Sequence, residues 1–253
     1  MGLDTDLTKI PEHLKSTKNP LGEFNKAIID ATADLVCSYK PNSAYYEAMG
    51  DGGMRHLQKT IEYIHTAYPD IPVIVDAKRA DIGSTSEQYA NWVFDYLKAD
   101  AVTVNPYLGS DSLDAFFKRS DKGIIVLCRT SNKGATDFQD LNVDGQSLFM
   151  KVAERIIEWD KIYKNCLMVV GATWPEQMQQ IRGIAPDMNF LVPGIGTQGG
   201  DLAGTLKAGL RADKAGLIIN AGRSIIYASN GEDFAEKARL GALKLRDQIN
   251  LHR

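Results

Sequence analysis

The chain has 253 residues, 44% of them hydrophobic and 24% charged, and a net charge of -3. This is the composition of a soluble globular protein with enough apolar residues for a sizeable core. It argues against a nucleic-acid polyanion as partner, and no apolar run approaches the ~18 residues of a membrane span, so no membrane association is expected.

Asp4, Asp6 and Lys9 do not fit a signal peptide, and a cytoplasmic location is expected. Cys37, Cys128 and Cys166 each lie in or beside an apolar run, are odd in number and lack ligand spacing; they read as buried free thiols in a reducing compartment. His13, His56, His65 and His252 lie on expected helices or at the tail, and none pairs at H-x-x-x-H spacing, which argues against a structural zinc site.

Met1 to Asp6 reads as the end of a strand and its following loop, with the apolar part of the strand missing. Asn19-Pro20 is a helix start, an N-cap before proline in the first turn, and the helix is expected to reach about Ala33. A strand is expected over 34–40, stopped by Pro41-Asn42, and helix over 43–66, interrupted at 50–53. The β-branched run Val73-Ile74-Val75 is a buried strand that ends in Asp76, Lys78 and Asp81. Gly83-Ser84-Thr85 breaks it and can cap a helix from about 84 to 98.

Further strands are expected over 100–104, 123–128, 166–170, 190–192 and 216–220, with helices near 110–118, 146–161, 175–183, 202–208 and 232–250. A polar loop, Arg129 to Asp137, follows the strand at 123–128, and a short helix starts at Gly222-Arg223-Ser224. Strands alternating with helices imply parallel pairing through right-handed crossovers. Seven strands and one shortened first strand at this length fit an α/β chain folded as a (β/α)8 TIM barrel, a single domain over residues 1–253. The competing arrangement is a doubly wound open sheet, which the lack of G-x-G-x-x-G after the first strand disfavours.

In a barrel the strand C-termini form one functional rim. Side chains two apart on a strand share a face, so Asp76 and Lys78 are expected to project together. Asp4, Lys40, Asn105, the Ser131-Asn132 loop, Gln198 and Arg223 stand at the other strand ends. Each taken singly is compatible with a solvated strand end; together they converge. A lysine between two aspartates stays protonated, which makes it an acid rather than a nucleophile. Gly194, Gly196, Gly199 and Gly200 leave backbone N–H groups open to an anion, and Gly222-Arg223 opens a helix. Loops after strands seven and eight are the common phosphate position of this fold; the plain alternative is two glycine-rich turns and a surface arginine.

Asp76-Ala-Lys78-Arg-Ala-Asp81-Ile82, with Lys40 one strand earlier, resembles the orotidine 5'-phosphate decarboxylase family. The resemblance continues in Gly2-Leu3-Asp4, Asn105-Pro106-Tyr107, the run from Val192 to Gly200, and Ala221-Gly-Arg-Ser224, and so spans the chain. The run from Arg129 to Phe138 is similar to the longer bacterial subgroup. The resemblance implies loss of CO2 from C6 of orotidine 5'-monophosphate to give UMP in pyrimidine synthesis, with neither metal nor organic cofactor. It implies catalytic roles for Lys40, Asp76, Lys78 and Asp81, with Lys78 stabilising and then protonating the C6 anion. Asp4 is implied as a ribose contact, Ser131 as a pyrimidine contact, and Gln198, Gly222 and Arg223 as phosphate contacts, with a mobile lid near 194–205. Asn105 closes the substrate-binding set.

The family's homodimer is implied too, with Asp81, Ile82 and Thr85 on a segment reaching the neighbouring subunit's site. The chain departs from the family in lacking the apolar strand before Gly2. The nearest alternatives are a Mg2+-dependent sugar-phosphate lyase of the same barrel group, which shares D-x-K-x-x-D, and a non-catalytic nucleotide-binding barrel that kept the phosphate site.

Overall fold

The computed structural model describes residues 1–196 and 199–253. A single turn, α1 (Glu12–Lys15), precedes α2 (Pro20–Thr32), whose start is fixed by Asn19: its side chain accepts the Gly22 N–H at 3.2 Å, with Pro20 in the first turn. Asn42 caps α3 (Ser43–Glu47), and α4 (Gly50–Ala67) follows. Next come β1 (Ile74–Arg79), α5 (Gly83–Asn91), β2 (Ala101–Val104), α6 (Asp114–Phe117) and β3 (Gly123–Arg129). The hairpin strands β4 (Asn142–Val143) and β5 (Gln146–Ser147) precede α7 (Leu148–Tyr163), β6 (Cys166–Val170) and α8 (Pro175–Ile184). The chain ends with β7 (Phe190–Pro193), α9 (Leu202–Gly209), β8 (Leu217–Asn220), α10 (Arg223–Ile226) and α11 (Phe234–Asn250).

These elements form two compact units, one of Met1–Ala77, Trp92–Asp100 and Ala221–Leu251, the other of Lys78–Asn91, Ala101–Asn220 and His252–Arg253. In the second unit the end of β1 begins a sheet in the order β1-β2-β3-β6-β7-β8, tied to β2 where the Asn105 N–H meets the Arg79 carbonyl at 3.1 Å. The pairings β2–β3, β3–β6, β6–β7 and β7–β8 are all parallel. Val102, Val104, Ile124, Ile125, Val126, Met168, Val170, Phe190 and Val192 are buried, the apolar run expected of parallel strands covered on both faces.

In the first unit, parallel bridges join Gly2 to Lys40, Tyr39 to Val73 and Asn42 to Asp76, and the Gly2 N–H reaches the Ala221 carbonyl at 2.8 Å. Residues 1–3 thus pair on both sides. Leu21, Phe24 and Ile28 of α2 and Leu57, Ile61 and Ile64 of α4 are buried, each set at helical spacing. Phe24 stacks with Tyr227 and Phe234 at 5.9 and 5.2 Å.

Several expectations need correction. No continuous strand covers 34–40: Ala33–Leu35 is a 3-10 turn, and pairing starts at Tyr39. Asp34 is instead drawn outward to Arg239 at 2.5 Å. Cys37 is exposed, while Cys128 and Cys166 are buried, with burial pushing both thiols up to about 12. Residues 50–53 form the first turn of α4, the helix near 110–118 shrinks to α6, and the β4–β5 hairpin was not foreseen.

Candidate active site

In the first unit, Lys40 Nζ donates to Asp76 Oδ2 at 2.6 Å, with side chains only 4% and 11% exposed. Backbone pairing aims both: the Lys40 N–H reaches the Met1 carbonyl at 2.8 Å, and the Asp76 N–H the Pro41 carbonyl at 3.0 Å. Asn42 Nδ2 adds a longer bond to Asp76 Oδ2 at 3.3 Å. Burying an ion pair costs more solvation than apolar packing would, so its presence here points to function rather than stability.

Asp4 lies in a clamped segment of the same unit. Tyr46 Oη donates to the Leu3 carbonyl at 3.0 Å, Tyr227 Oη to the Asp4 carbonyl at 3.0 Å, and Tyr227 Oη accepts the Asp6 N–H at 2.7 Å. Thr5 Oγ1 is bonded to the buried Asn25 at 2.6 Å. Gly222 follows Ala221 directly; a Cβ there would lie 3.3 Å from the Gly2 Cα, so the close approach favours glycine. Its carbonyl accepts the Ile225 and Ile226 N–H groups at 2.8 and 3.0 Å, which starts α10 with Arg223 in its first turn.

In the second unit, Lys78 is left-handed, φ +50. The conformation is uncommon for a residue with a Cβ and is a form of strain that collects at functional sites. It is held by the Lys78 N–H, which donates to the buried Thr103 Oγ1 at 3.0 Å. Lys78 stands on the continuous strand β1 two residues after Asp76; Asp76 is buried and Lys78 exposed.

Asp81 Oδ1 accepts the Ile82 N–H at 2.8 Å, Ile82 is 63% exposed, and Thr85 lies exposed in the first turn of α5. Asn105 uses its side-chain oxygen locally, on the Tyr107 N–H at 3.1 Å. Ser131 follows β3, and Thr173 Oγ1 donates to its carbonyl at 3.0 Å. Gly194, Gly196 and Gly199 have φ of 107, 88 and 74 degrees, and the Gly200 N–H closes onto the Gly194 carbonyl at 3.1 Å. Gln198 lies outside the described residues.

Among the described residues, no cluster of three His, Cys, Asp or Glu side chains is placed to hold a metal ion. Sequence reasoning missed Asn42, Thr103 and Asn220, whose side-chain oxygen at the end of β8 is buried without a hydrogen-bond partner among the described residues. A lone threonine in the otherwise apolar β2 was the available signal for Thr103.

A family model described as "Orotidine 5'-phosphate decarboxylase / HUMPS family" matches residues 5–238. A Cellvibrio japonicus protein named orotidine 5'-phosphate decarboxylase is 55% identical over 255 residues, covering 100% of this chain and 93% of its own length. The solved structure of Leishmania donovani OMP decarboxylase has a TM-score of 0.86 at 38% identity, covering 99% of this chain and 92% of that one. That of Leishmania donovani UMP synthase reaches 0.88 at 39% identity and covers 100% of this chain, which spans 52% of that longer one. Likeness along the whole chain gives the α/β alternation described above the (β/α)8 barrel fold of these relatives.

Proposed function

Because the chain belongs to the orotidine 5'-phosphate decarboxylase / HUMPS family, we propose that it removes CO2 from orotidine 5'-monophosphate to form UMP in pyrimidine biosynthesis. The observation that carries this reading is the buried Lys40–Asp76 pair, with Lys78 two residues further along β1 in a strained backbone. Breaking the C6–CO2 bond leaves its electron pair in the ring plane, where no neighbouring group delocalises it. A preorganised cation in a site poor in water lowers such a barrier without reorganising during the reaction. Lys78 supplies that cation, gives its proton to C6, and recovers one from solvent.

Lys40 holds Asp76 charged and in place beside the substrate carboxylate. Asp4 binds the ribose; Ser131 binds the pyrimidine, with Asn105 on the neighbouring loop; Gln198, Gly222 and Arg223 bind the phosphate. Binding energy from that remote dianion can drive closure of the loop near 194–205 and so appear in the rate. The chemistry needs no metal and no organic cofactor.

The active unit is a cytoplasmic homodimer of single barrels in which Asp81, with Ile82 and Thr85, completes the neighbouring subunit's site. The exposure of Ile82, Tyr107 and Leu108 on the loops after β1 and β2 supports this. Chromatographic analysis of orotidine 5'-monophosphate incubated with the enzyme tests the reaction: UMP should form mole for mole with substrate lost. Turnover of a hexulose phosphate with none of the nucleotide would overturn it in favour of a sugar-phosphate lyase.

A further inference from the structure

Arg129 ends β3 with its side chain fully buried, although burial pulls its pKa down and Asp140 only partly offsets that. Its guanidinium lies over the Trp174 ring, 4.3 Å from the centroid, with Phe149 at 5.9 Å. Nη1 donates to Gln139 Oε1 at 3.2 Å and Nη2 to Asp140 Oδ2 at 3.1 Å, while Nε is buried without a hydrogen-bond partner among the described residues. An apolar side chain would fill this space without leaving a buried donor unmet.

The partners of Arg129 converge on the next residue. Gln139 Oε1 also accepts the Thr130 N–H at 2.9 Å, and Gln139 Nε2 donates to Thr130 Oγ1 at 2.9 Å. Trp174 Nε1 donates to the Thr130 carbonyl at 3.0 Å, and Thr130 Oγ1 to Asn132 Oδ1 at 2.7 Å. Every polar group of Thr130 is therefore engaged, and Ser131 is the following residue. Two further devices aim it. The β3–β6 register slips between Leu127 and Arg129, an irregularity that re-aims the strand end. At Gly171 a Cβ would lie 2.7 Å from the Ser131 Cα, so only glycine admits the approach.

We propose that Arg129, Gln139 and Trp174 are positioning residues that fix Ser131 for its contact with the pyrimidine, a role resting on the decarboxylase reading above. The cation couples two side chains from different segments, Gln139 and Trp174, so that both grip Thr130 in one geometry. The predicted signature is loss of affinity for the base and not for the sugar phosphate, which a general loosening of the fold would not produce.

The test uses Arg129→Met and Trp174→Phe, each in the wild-type and the Ser131→Ala background. Trp174→Phe keeps an aromatic face for the guanidinium and removes only the bond to Thr130, so it carries the test should Arg129→Met fail to fold. Inhibition constants are measured for UMP and for ribose 5-phosphate, which lacks the base. Each variant should weaken UMP by about tenfold and leave ribose 5-phosphate within about twofold, and the loss should vanish once Ser131 is alanine. Equal weakening of both ligands, or a loss that persists in the Ser131→Ala background, would overturn the proposal. Unchanged UMP affinity in Ser131→Ala alone would overturn the Ser131 contact and the clamp with it, whereas absence of UMP formation by the wild-type enzyme would overturn the decarboxylase reading itself.

Discussion

Lys40 and Asp76 neutralise one another inside the first unit at 2.6 Å, and removing one partner strands the other in a poorly solvated place. Lys40→Met should cost about 3 kcal/mol of stability, with part of it recovered in Lys40→Met/Asp76→Asn, as read by chemical denaturation. Lys78 has a different task. Its replacement by alanine should leave UMP affinity nearly intact while turnover falls on the order of a thousandfold, the scale seen when one preorganised group is removed from a charged transition state. Comparing the UMP dissociation constant with kcat checks this, and unchanged turnover would remove Lys78 from the chemistry. The residue types at these positions were legible, because an apolar run breaking into Asp76 and Lys78 is a local pattern. The φ of +50 at Lys78 was not, since a left-handed lysine is held by a partner, Thr103, that lies on another strand. Cys37 was misread for a related reason: neighbouring apolar residues do not reveal that it lies exposed after a 3-10 turn and not inside a strand.

At the scale of elements, α2 and α4 are tied at the surface by Asp30, which accepts from Lys26 at 2.6 Å, from Tyr68 at 2.9 Å, and from Tyr63. Burial acts to raise the Asp30 pKa, but these donors outweigh it and hold the carboxyl below its ordinary 3.8. A carboxylate whose folded pKa is depressed stabilises the fold above its unfolded pKa, and that contribution disappears as pH falls through the folded value. Asp30→Asn should therefore lower Tm at pH 7, with the gap from wild type closing below about pH 4. A gap that persists unchanged in acid would show that the tie acts by packing alone. Most elements were legible from apolar period and caps, as with Asn19-Pro20 opening α2. Residues 34–38 were not, because Asp34 is committed to Arg239, a partner 205 residues away that no local window contains.

At the scale of the whole molecule, alternating strands and helices were enough to identify the barrel class. The rim residues were named because that class places function at strand ends. The Arg129 network was invisible, since it joins Gln139 and Trp174 across separate segments of the second unit. The proposed homodimer with shared sites makes a sharp prediction: Lys78→Ala and Asp81→Ala, each nearly inactive, should regain activity when mixed and allowed to exchange subunits. Each hybrid then holds one intact site, and random exchange restores roughly a quarter of wild-type activity; no recovery would mean that Asp81 serves its own chain.

The central claim is that fixed side-chain charges, with no metal, break the C6–CO2 bond. Its most direct test is the rate of orotidine 5'-monophosphate loss before and after exhaustive dialysis against EDTA. An unchanged rate with UMP as product is predicted; a rate abolished by EDTA and restored by Mg2+ would contradict it.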